Sequence, residues 1–165
     1  MTDRSPWTPP PRSFADEAGR SIRIERGIDD RAALVGMYES YAPHHRAQGL
    51  PPVGQARIEE WLDTVSEGLN VVAWHGDRAV GHSALLGGAD DHELMIFVHQ
   101  NYRLSGTGSR LIRSLLAYGY AQGVETVWLC VRPSNTIAVS LYESVGFERA
   151  EERGSDLEMT LTLQE

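Results

Sequence analysis

A glycine-rich turn between an apolar segment and an amphipathic segment constrains the fold of this chain most strongly. The apolar run from His92 to Val98 is followed by the turn 103–109, and the residues from Gly108 to Gln122 carry apolar side chains at helical spacing. A second apolar run, 125–131, comes directly after them. This succession predicts a strand, a helix and a second strand that pairs in parallel with the first.

Apolar periodicity and turn residues predict the other elements. They are a strand over 21–27, helices from Asp29 or Asp30 to Tyr41 and over 54–67, a hairpin of 70–74 and 79–85, a helix capped by Ser134 that runs to Val145, and a closing hairpin of 147–152 and 157–163. The order βααβββαβαββ predicts an α/β (α+β) fold. We expect a mixed, mostly antiparallel sheet of six to seven strands, with helices on both faces.

Composition limits the class of protein. Residues 1–20 are rich in proline and are expected to form a disordered tail before one domain that spans 21–165. The net charge of -8 argues against nonspecific nucleic-acid binding. The single cysteine excludes an intramolecular disulfide and a multi-cysteine metal site, and we expect no metal. No apolar run reaches about 18 residues, so we expect no transmembrane helix and no membrane partner. The single cysteine favours a reducing, cytoplasmic setting.

The turn favours a phosphate or pyrophosphate ligand. Its backbone N–H groups lie beside a helix N-terminus, and glycines permit close approach of a ligand. A Walker A loop is excluded because the chain has no lysine. A Rossmann fingerprint fits poorly, because its third glycine is replaced by Leu111 and Glu125 lies at the wrong end of the next strand. The pattern Arg-x-x-Gly-x-Gly is complete, as Arg103, Gly106 and Gly108, although an ordinary helix-entry turn remains an alternative.

A second motif lies downstream, from Asn135 to Phe147, with the sequence Asn-Thr-Ile-Ala-Val-Ser-Leu-Tyr-Glu-Ser-Val-Gly-Phe. The two motifs together resemble the signatures of the GNAT superfamily of acetyl-CoA-dependent N-acetyltransferases. Three positions differ from the usual family pattern. Leu104 replaces a frequent glycine, Gln100 a frequent proline, and Thr107 a common isoleucine or leucine.

The resemblance implies that acetyl-CoA binds between two strands that splay apart. The backbone of Ile96, Phe97 and Val98 would contact the acetyl and pantetheine groups, and an N–H near Val98 would stabilise the oxyanion. Asn135 and Ala138 would line the pantetheine path. The pyrophosphate would lie on the turn, where Arg103 adds positive charge and the N–H groups belong to Leu104, Ser105, Gly106, Thr107, Gly108 and Ser109.

The resemblance also suggests an acid and a base. Tyr142 would lie near the sulfur and protonate the departing thiolate, unless it is simply a packed aromatic residue. Glu93 would deprotonate the amine, directly or through water, unless it is a solvent-facing carboxylate at the start of a strand. Asp91, His92 and His82 are weaker candidates for the base.

We therefore expect an acyltransferase that moves an acetyl group from acetyl-CoA to a primary amine by direct attack in a ternary complex. A protein lysine or N-terminal acetyltransferase and a non-catalytic acetyl-CoA-binding sensor module remain alternatives. Tyr38 and Tyr41 either line the acceptor site or pack in the core, and His44 and His45 either touch substrate or lie in a solvated loop. A homodimer is common in the family and is compatible with this sequence.

Overall fold

The computed structural model describes residues 7–43, 50–88 and 91–164. Eight strands and four α-helices lie in these ranges, together with a short 3-10 turn over Gln100–Tyr102. The strands are β1 (Arg12–Ala15), β2 (Ser21–Arg26), β3 (Leu69–His75), β4 (Arg78–Gly87), β5 (Asp91–Val98), β6 (Thr126–Val131), β7 (Glu148–Arg153) and β8 (Asp156–Thr162). The helices are α1 (Arg31–Glu39), α2 (Gln55–Val65), α3 (Thr107–Ala121) and α4 (Thr136–Val145).

All eight strands form one mixed sheet in the order β1-β2-β3-β4-β5-β6-β8-β7. Strands β5 and β6, which flank α3 in the chain, pair in parallel. The other pairings are antiparallel. The predicted mixed, mostly antiparallel sheet with one parallel pair is therefore confirmed.

Side chains that alternate along the strands divide the core between the two faces of the sheet. Val71 and Ala73 belong to the cluster that also contains the buried residues of α3 and α4. Val72 and Trp74 belong to a second cluster with the buried residues of α1 and α2. These sides are called the α3/α4 face and the α1/α2 face below. Alternate side chains of one strand therefore enter two different cores. The prediction of helices on both faces of the sheet is confirmed.

The prediction that residues 1–20 form a disordered tail is wrong for the segment that contains the first strand. Residues Arg12–Ala15 form β1, which pairs with β2 at the edge of the sheet and raises the strand number from the expected six or seven to eight. Phe14 packs against the core of the α3/α4 face. This segment is ordered by burial of the Phe14 ring and by pairing with the edge strand β2. Its apolar periodicity is too weak to predict a strand from the sequence.

Helix ends follow ordinary capping chemistry, with one correction. The side chain of Asp30 accepts a hydrogen bond of 3.0 Å from the N–H of Ala33 and caps α1, as predicted. Helix α4 is capped by Asn135 and not by Ser134, because the Asn135 side chain accepts from the N–H of Ala138 at 3.3 Å. An amide side chain one residue later thus fixes where α4 begins.

Candidate active site

The parallel pairing of β5 with β6 is short. It begins at the pair Asp91 and Thr126 and ends at the pair Glu93 and Trp128. Beyond that point β5 stays paired with β4 as far as Val98, and β6 stays paired with β8 to its own end. The two strands therefore separate, and a gap opens between residues 94–98 and 129–131. We call this opening the β5–β6 gap.

Backbone groups of β5 face the gap at alternate residues. The N–H of His99 donates to the carbonyl of Val80 across the β4–β5 ladder, at 2.9 Å. Since orientation alternates along an antiparallel ladder, the backbone of Phe97 also points toward β4. The N–H and carbonyl groups of Ile96 and Val98 point toward the gap. Two of the three residues expected to contact acetyl-CoA through their backbone are thus oriented for that contact, and Phe97 is not.

The turn before α3 is held by its own side chains. Ser105 is buried, and its hydroxyl donates to the carbonyl of Tyr102 at 2.6 Å. Thr107 is fully buried, with its hydroxyl 3.3 Å from that of Ser105. Gly106 is the N-cap residue with φ 90°, in the left-handed region that favours glycine. Leu104, whose side chain is 77% exposed, also has a positive φ of 57°.

The first turn of α3 opens toward the β5–β6 gap. The first intrahelical bond runs from the N–H of Arg110 to the carbonyl of Gly106, so the N–H groups of residues 107–109 have no acceptor within the helix. A Cβ on Gly108 would lie 3.6 Å from Cγ2 of Val98 and 3.7 Å from Cδ2 of Leu141. The glycine therefore faces the space between β5 and α4, with helical N–H donors beside it for an anion.

The loop after β1 supports this turn. The N–H of Glu17 donates to the carbonyl of Ser105 at 2.9 Å. Arg20 donates from Nη1 to the carbonyl of Asn101 at 2.9 Å, and its Nε pairs with the buried carboxylate of Asp16 at 2.8 Å. The segment expected to be a tail thus positions the turn.

Arg103 points along β5. Its Nε donates to the carbonyl of Val98 at 3.2 Å, and its Nη2 donates to the hydroxyl of Tyr41 at 2.9 Å. That hydroxyl in turn donates to the same Val98 carbonyl at 3.0 Å. The Arg103 side chain thus lies at the carboxyl end of β5, where it satisfies a carbonyl that faces the gap.

Tyr142 lies on the α3/α4 face. Its ring packs edge-on against Phe147, with 5.9 Å between ring centroids. Burial raises its pKa to about 12, although the charge of Arg103 acts in the opposite direction. The phenol is therefore protonated at neutral pH and able to donate.

Glu93 projects from the opposite face of the sheet. Its neighbour Leu94 is buried in the core of the α3/α4 face, so alternation directs Glu93 to the α1/α2 face. There it lines a depression of about 540 Å³ together with Asp91, Trp128 and Glu158. Partial burial raises the Glu93 pKa above its ordinary value of 4.5. Glu93 belongs to the last β5–β6 pair and therefore lies where the gap begins.

Comparison with known proteins identifies the family. Residues 33–147 match the model of the acetyltransferase (GNAT) family, which is more than half of the chain and includes both sequence motifs. This chain belongs to the GNAT acetyltransferase family. The expected acyltransferase class and the use of acetyl-CoA are confirmed at the level of that family.

The similar curated GNAT proteins include mycothiol acetyltransferases and ribosomal-protein-alanine N-acetyltransferases. A mycothiol acetyltransferase of Thermobispora bispora is 29% identical over 150 residues, which cover 86% of this chain and 50% of the relative. A [ribosomal protein bS18]-alanine N-acetyltransferase of Escherichia coli is 44% identical over 55 residues, which cover 33% of this chain and 37% of the relative. The chain thus matches about half, or less, of the length of these relatives.

Solved GNAT structures share the fold. The GNAT domain of S. lividans PAT superimposes with a TM-score of 0.77 at 16% identity, covering 92% of this chain and 96% of that domain. The ribosomal-protein-S18-alanine N-acetyltransferase from Escherichia coli gives a TM-score of 0.69 at 23% identity, with coverage of 87% and 95%. At these identities the likeness supports the fold and nothing finer.

Two departures from the usual GNAT pattern have structural reasons. Gln100 joins β5 to the end of α1, because its side chain donates to the carbonyl of Ser40 at 2.8 Å and accepts from the N–H of Ala42 at 3.1 Å. Thr107 is buried beside the Ser105 hydroxyl. At Leu104 the positive φ explains why glycine is usual in this GNAT position.

His82, a weaker candidate for the GNAT base, is fully buried inside a hydrogen-bonded chain. Its Nε2 lies 2.8 Å from Oδ1 of Asn70, and its Nδ1 lies 2.7 Å from the hydroxyl of Tyr38. The Asn70 amide donates to backbone carbonyls, so Oδ1 accepts and Nε2 carries the proton. Burial lowers the His82 pKa to about 3. Both ring nitrogens are occupied, so His82 has no free lone pair for a substrate.

The structure describes some of the remaining predicted site residues and leaves others outside its described ranges. Asn135 is exposed and caps α4, while Ala138 packs against the core of the α3/α4 face. Tyr38 and Tyr41 are buried on the α1/α2 face. His44 and His45 lie outside the described residues. None of the described helices is long and apolar enough to cross a membrane.

Two groups of residues near the candidate site of this GNAT chain were not predicted from the sequence. Trp128 is a wall of the depression around Glu93, and its place on the α1/α2 face follows from alternation with the buried Val127. Arg12 and Arg110 lie near the turn, but only the tertiary structure brings β1 beside α3. Period-two alternation could have revealed Trp128, whereas no local signal identifies the arginines.

Proposed function

We propose that this chain transfers an acetyl group from acetyl-CoA to a primary amine by direct attack in a ternary complex. One observation carries the proposal. The β5–β6 gap has a protonated phenol, Tyr142, on one face of the sheet and a carboxylate with a raised pKa, Glu93, on the other. Acyl transfer to an amine needs an acid for the leaving thiolate and a base for the ammonium, so the two sides match the two requirements.

The cofactor fits the residues that surround the gap. Gly108 leaves space between β5 and α4, and the N–H groups of residues 107–109 are suitable donors for a pyrophosphate. The N–H of Val98 points into the gap, where it supports stabilisation of a developing oxyanion. The proposed cofactor contacts are therefore backbone donors, which do not depend on side-chain rotamers.

Glu93 is the proposed base. A protonated amine has no lone pair for attack on the thioester, so the carboxylate first accepts its proton, directly or through a water molecule. The raised pKa makes Glu93 a better proton acceptor than an ordinary glutamate. The neutral amine nitrogen then bonds to the acyl carbon of the thioester and forms a tetrahedral adduct. As the carbon–sulfur bond breaks, Tyr142 donates its phenolic proton to the leaving CoA sulfur, which departs as the thiol. The second proton that the nitrogen loses as it becomes an amide returns through water to the Tyr142 phenolate.

The depression favours a cationic acceptor. The carboxylates of Asp91, Glu93 and Glu158 line it, and the indole of Trp128 supplies an aromatic wall. Carboxylates and an aromatic face both attract an ammonium group. A small amine that carries a positive charge is therefore the first acceptor class to test. A protein N-terminus is the second, because the bS18-alanine N-acetyltransferases are 44% identical over part of the chain.

The test follows release of the CoA thiol from acetyl-CoA in the presence of a panel of polyamines, amino acids and short peptides. We expect transfer to at least one cationic amine, and a loss of about 100-fold in kcat for Tyr142→Phe with unchanged affinity for acetyl-CoA. Tyr120→Phe is the matched control, because Tyr120 is exposed on α3. Acetyl-CoA binding without transfer to any amine would point to a sensor, and equal kcat in Tyr142→Phe would remove the acid role.

A further inference from the structure

Three arginines lie close to one another beside the N-terminal half of α3. Arg12 extends from β1 on the same face as Phe14, two residues later, while Arg110 and Arg113 belong to α3. The guanidinium carbons of Arg12 and Arg110 lie 5.7 Å and 4.7 Å from the centroid of the Phe14 ring. The ring thus holds two cationic side chains close to each other.

The charges of Arg12 and Arg110 are not balanced by carboxylates of the described residues. Neither Arg12 nor Arg110 forms an ion pair within the described ranges. Nη1 of Arg12 is shielded from solvent and has no hydrogen-bond acceptor among the described residues. Burial, followed by repulsion from Arg110 and Arg113, lowers the Arg12 pKa. Like charges that are gathered and partly buried destabilise the free protein and favour an anion.

The cluster adjoins the phosphate-binding turn. Nη1 of Arg110 donates to the carbonyl of Gly106, the N-cap residue, at 3.3 Å. Nη2 of Arg113 donates to the carbonyl of Ser144 in α4, at 3.1 Å, and Nη1 of Arg113 contacts the hydroxyl of Ser109. Arg110 and Arg113 therefore contact the N-cap and the first turn of α3, which are the segment that is proposed to hold the pyrophosphate.

We infer that Arg12, Arg110 and Arg113 bind the 3′-phosphate of coenzyme A. The inference rests on the proposed function, because the ligand is the one that the turn is proposed to hold. A phosphate monoester carries close to two negative charges at neutral pH and matches the planar donors of guanidinium groups. The pyrophosphate has backbone donors in the turn, whereas these arginines supply guanidinium donors of the kind that suits a monoester. Strand β1 thus contributes to cofactor recognition.

The experiment compares acetyl-CoA with 3′-dephospho-acetyl-CoA by calorimetry. We expect the wild-type protein to bind acetyl-CoA at least about tenfold more tightly than the dephospho compound. Arg12→Gln and Arg110→Gln should weaken acetyl-CoA binding about tenfold and leave binding of the dephospho compound unchanged. Arg23→Gln is the matched control, because it removes the same charge from the α1/α2 face, where Arg23 lies over Trp74.

Each outcome has a defined meaning. Equal wild-type affinities for the two compounds would overturn the 3′-phosphate site and leave the proposed function intact. Equal weakening by Arg12→Gln and Arg23→Gln would assign the effect to net charge and would also overturn the site. If inorganic phosphate protects Arg12 and Arg110 from arginine-specific modification but acetyl-CoA does not, the cluster binds free phosphate instead. A protein that binds neither compound would refute the proposed function together with this inference.

Discussion

His82 should make this protein sensitive to mild acid. Its imidazole is fully buried and neutral in the folded state, with a pKa of about 3, and takes up a proton near the ordinary value of 6.5 when the chain unfolds. The unfolded state therefore binds more protons below pH 6.5, and the free energy of unfolding falls as the pH falls toward 3. Between pH 7 and pH 5 the loss is about 2 kcal/mol from this one residue.

The assay is urea unfolding at pH 7 and pH 5 for the wild type and for His82→Gln. Glutamine retains one donor and one acceptor for Asn70 and Tyr38 but does not titrate. We expect the variant to be less stable at pH 7 but to lose about 2 kcal/mol less than the wild type between the two pH values. Identical losses would refute the reasoning. Nuclear magnetic resonance of the wild type gives an independent check, because a His82 ring that becomes protonated above pH 5 in the folded state is incompatible with it.

Three further predictions concern the turn and the base. Gly108→Ala should raise the free energy of unfolding by up to about 1 kcal/mol, because the added Cβ meets only ordinary van der Waals contacts. The same variant should bind acetyl-CoA more weakly in calorimetry, and an unchanged affinity would contradict the placement of the cofactor. Leu104→Gly should raise the melting temperature by relieving the positive φ, a gain of up to about 1 kcal/mol, and a lower melting temperature would argue against that backbone conformation. For Glu93, the raised pKa should place the acidic limb of the kcat/KM profile above pH 4.5, and this limb should vanish in Glu93→Gln while remaining in Glu17→Gln.

Strong periodicity made most of the fold predictable. The segment that becomes α3 has apolar residues at helical spacing over about four turns, and the apolar runs on either side are long enough to be strands. Strand β1 was not predictable, because it is four residues long and Phe14 is its main apolar residue. Its order comes from pairing with β2 and from burial of that ring, which are tertiary contributions.

The candidate site was predictable where it depends on backbone. Gly106 and Gly108 revealed the turn because no other residue meets the same conformational and steric demands at little cost. The orientation of Arg103 was not predictable, because it depends on the hydroxyl of Tyr41, 62 residues earlier in the chain. The role of Asn135 as a cap was hidden by the adjacent Ser134, which has a similar capping preference.

The β5–β6 gap itself has a physical explanation that no motif contains. Two strands that separate leave backbone groups without the partners that a continuous ladder would supply, and each unpaired buried group is costly. Here β5 remains fastened to β4 and β6 to β8, so neither strand loses its support. At the open end, Tyr41 and Arg103 both donate to the carbonyl of Val98. These two side chains compensate for the missing β6 partner, so we infer that the gap is stable before any ligand enters it.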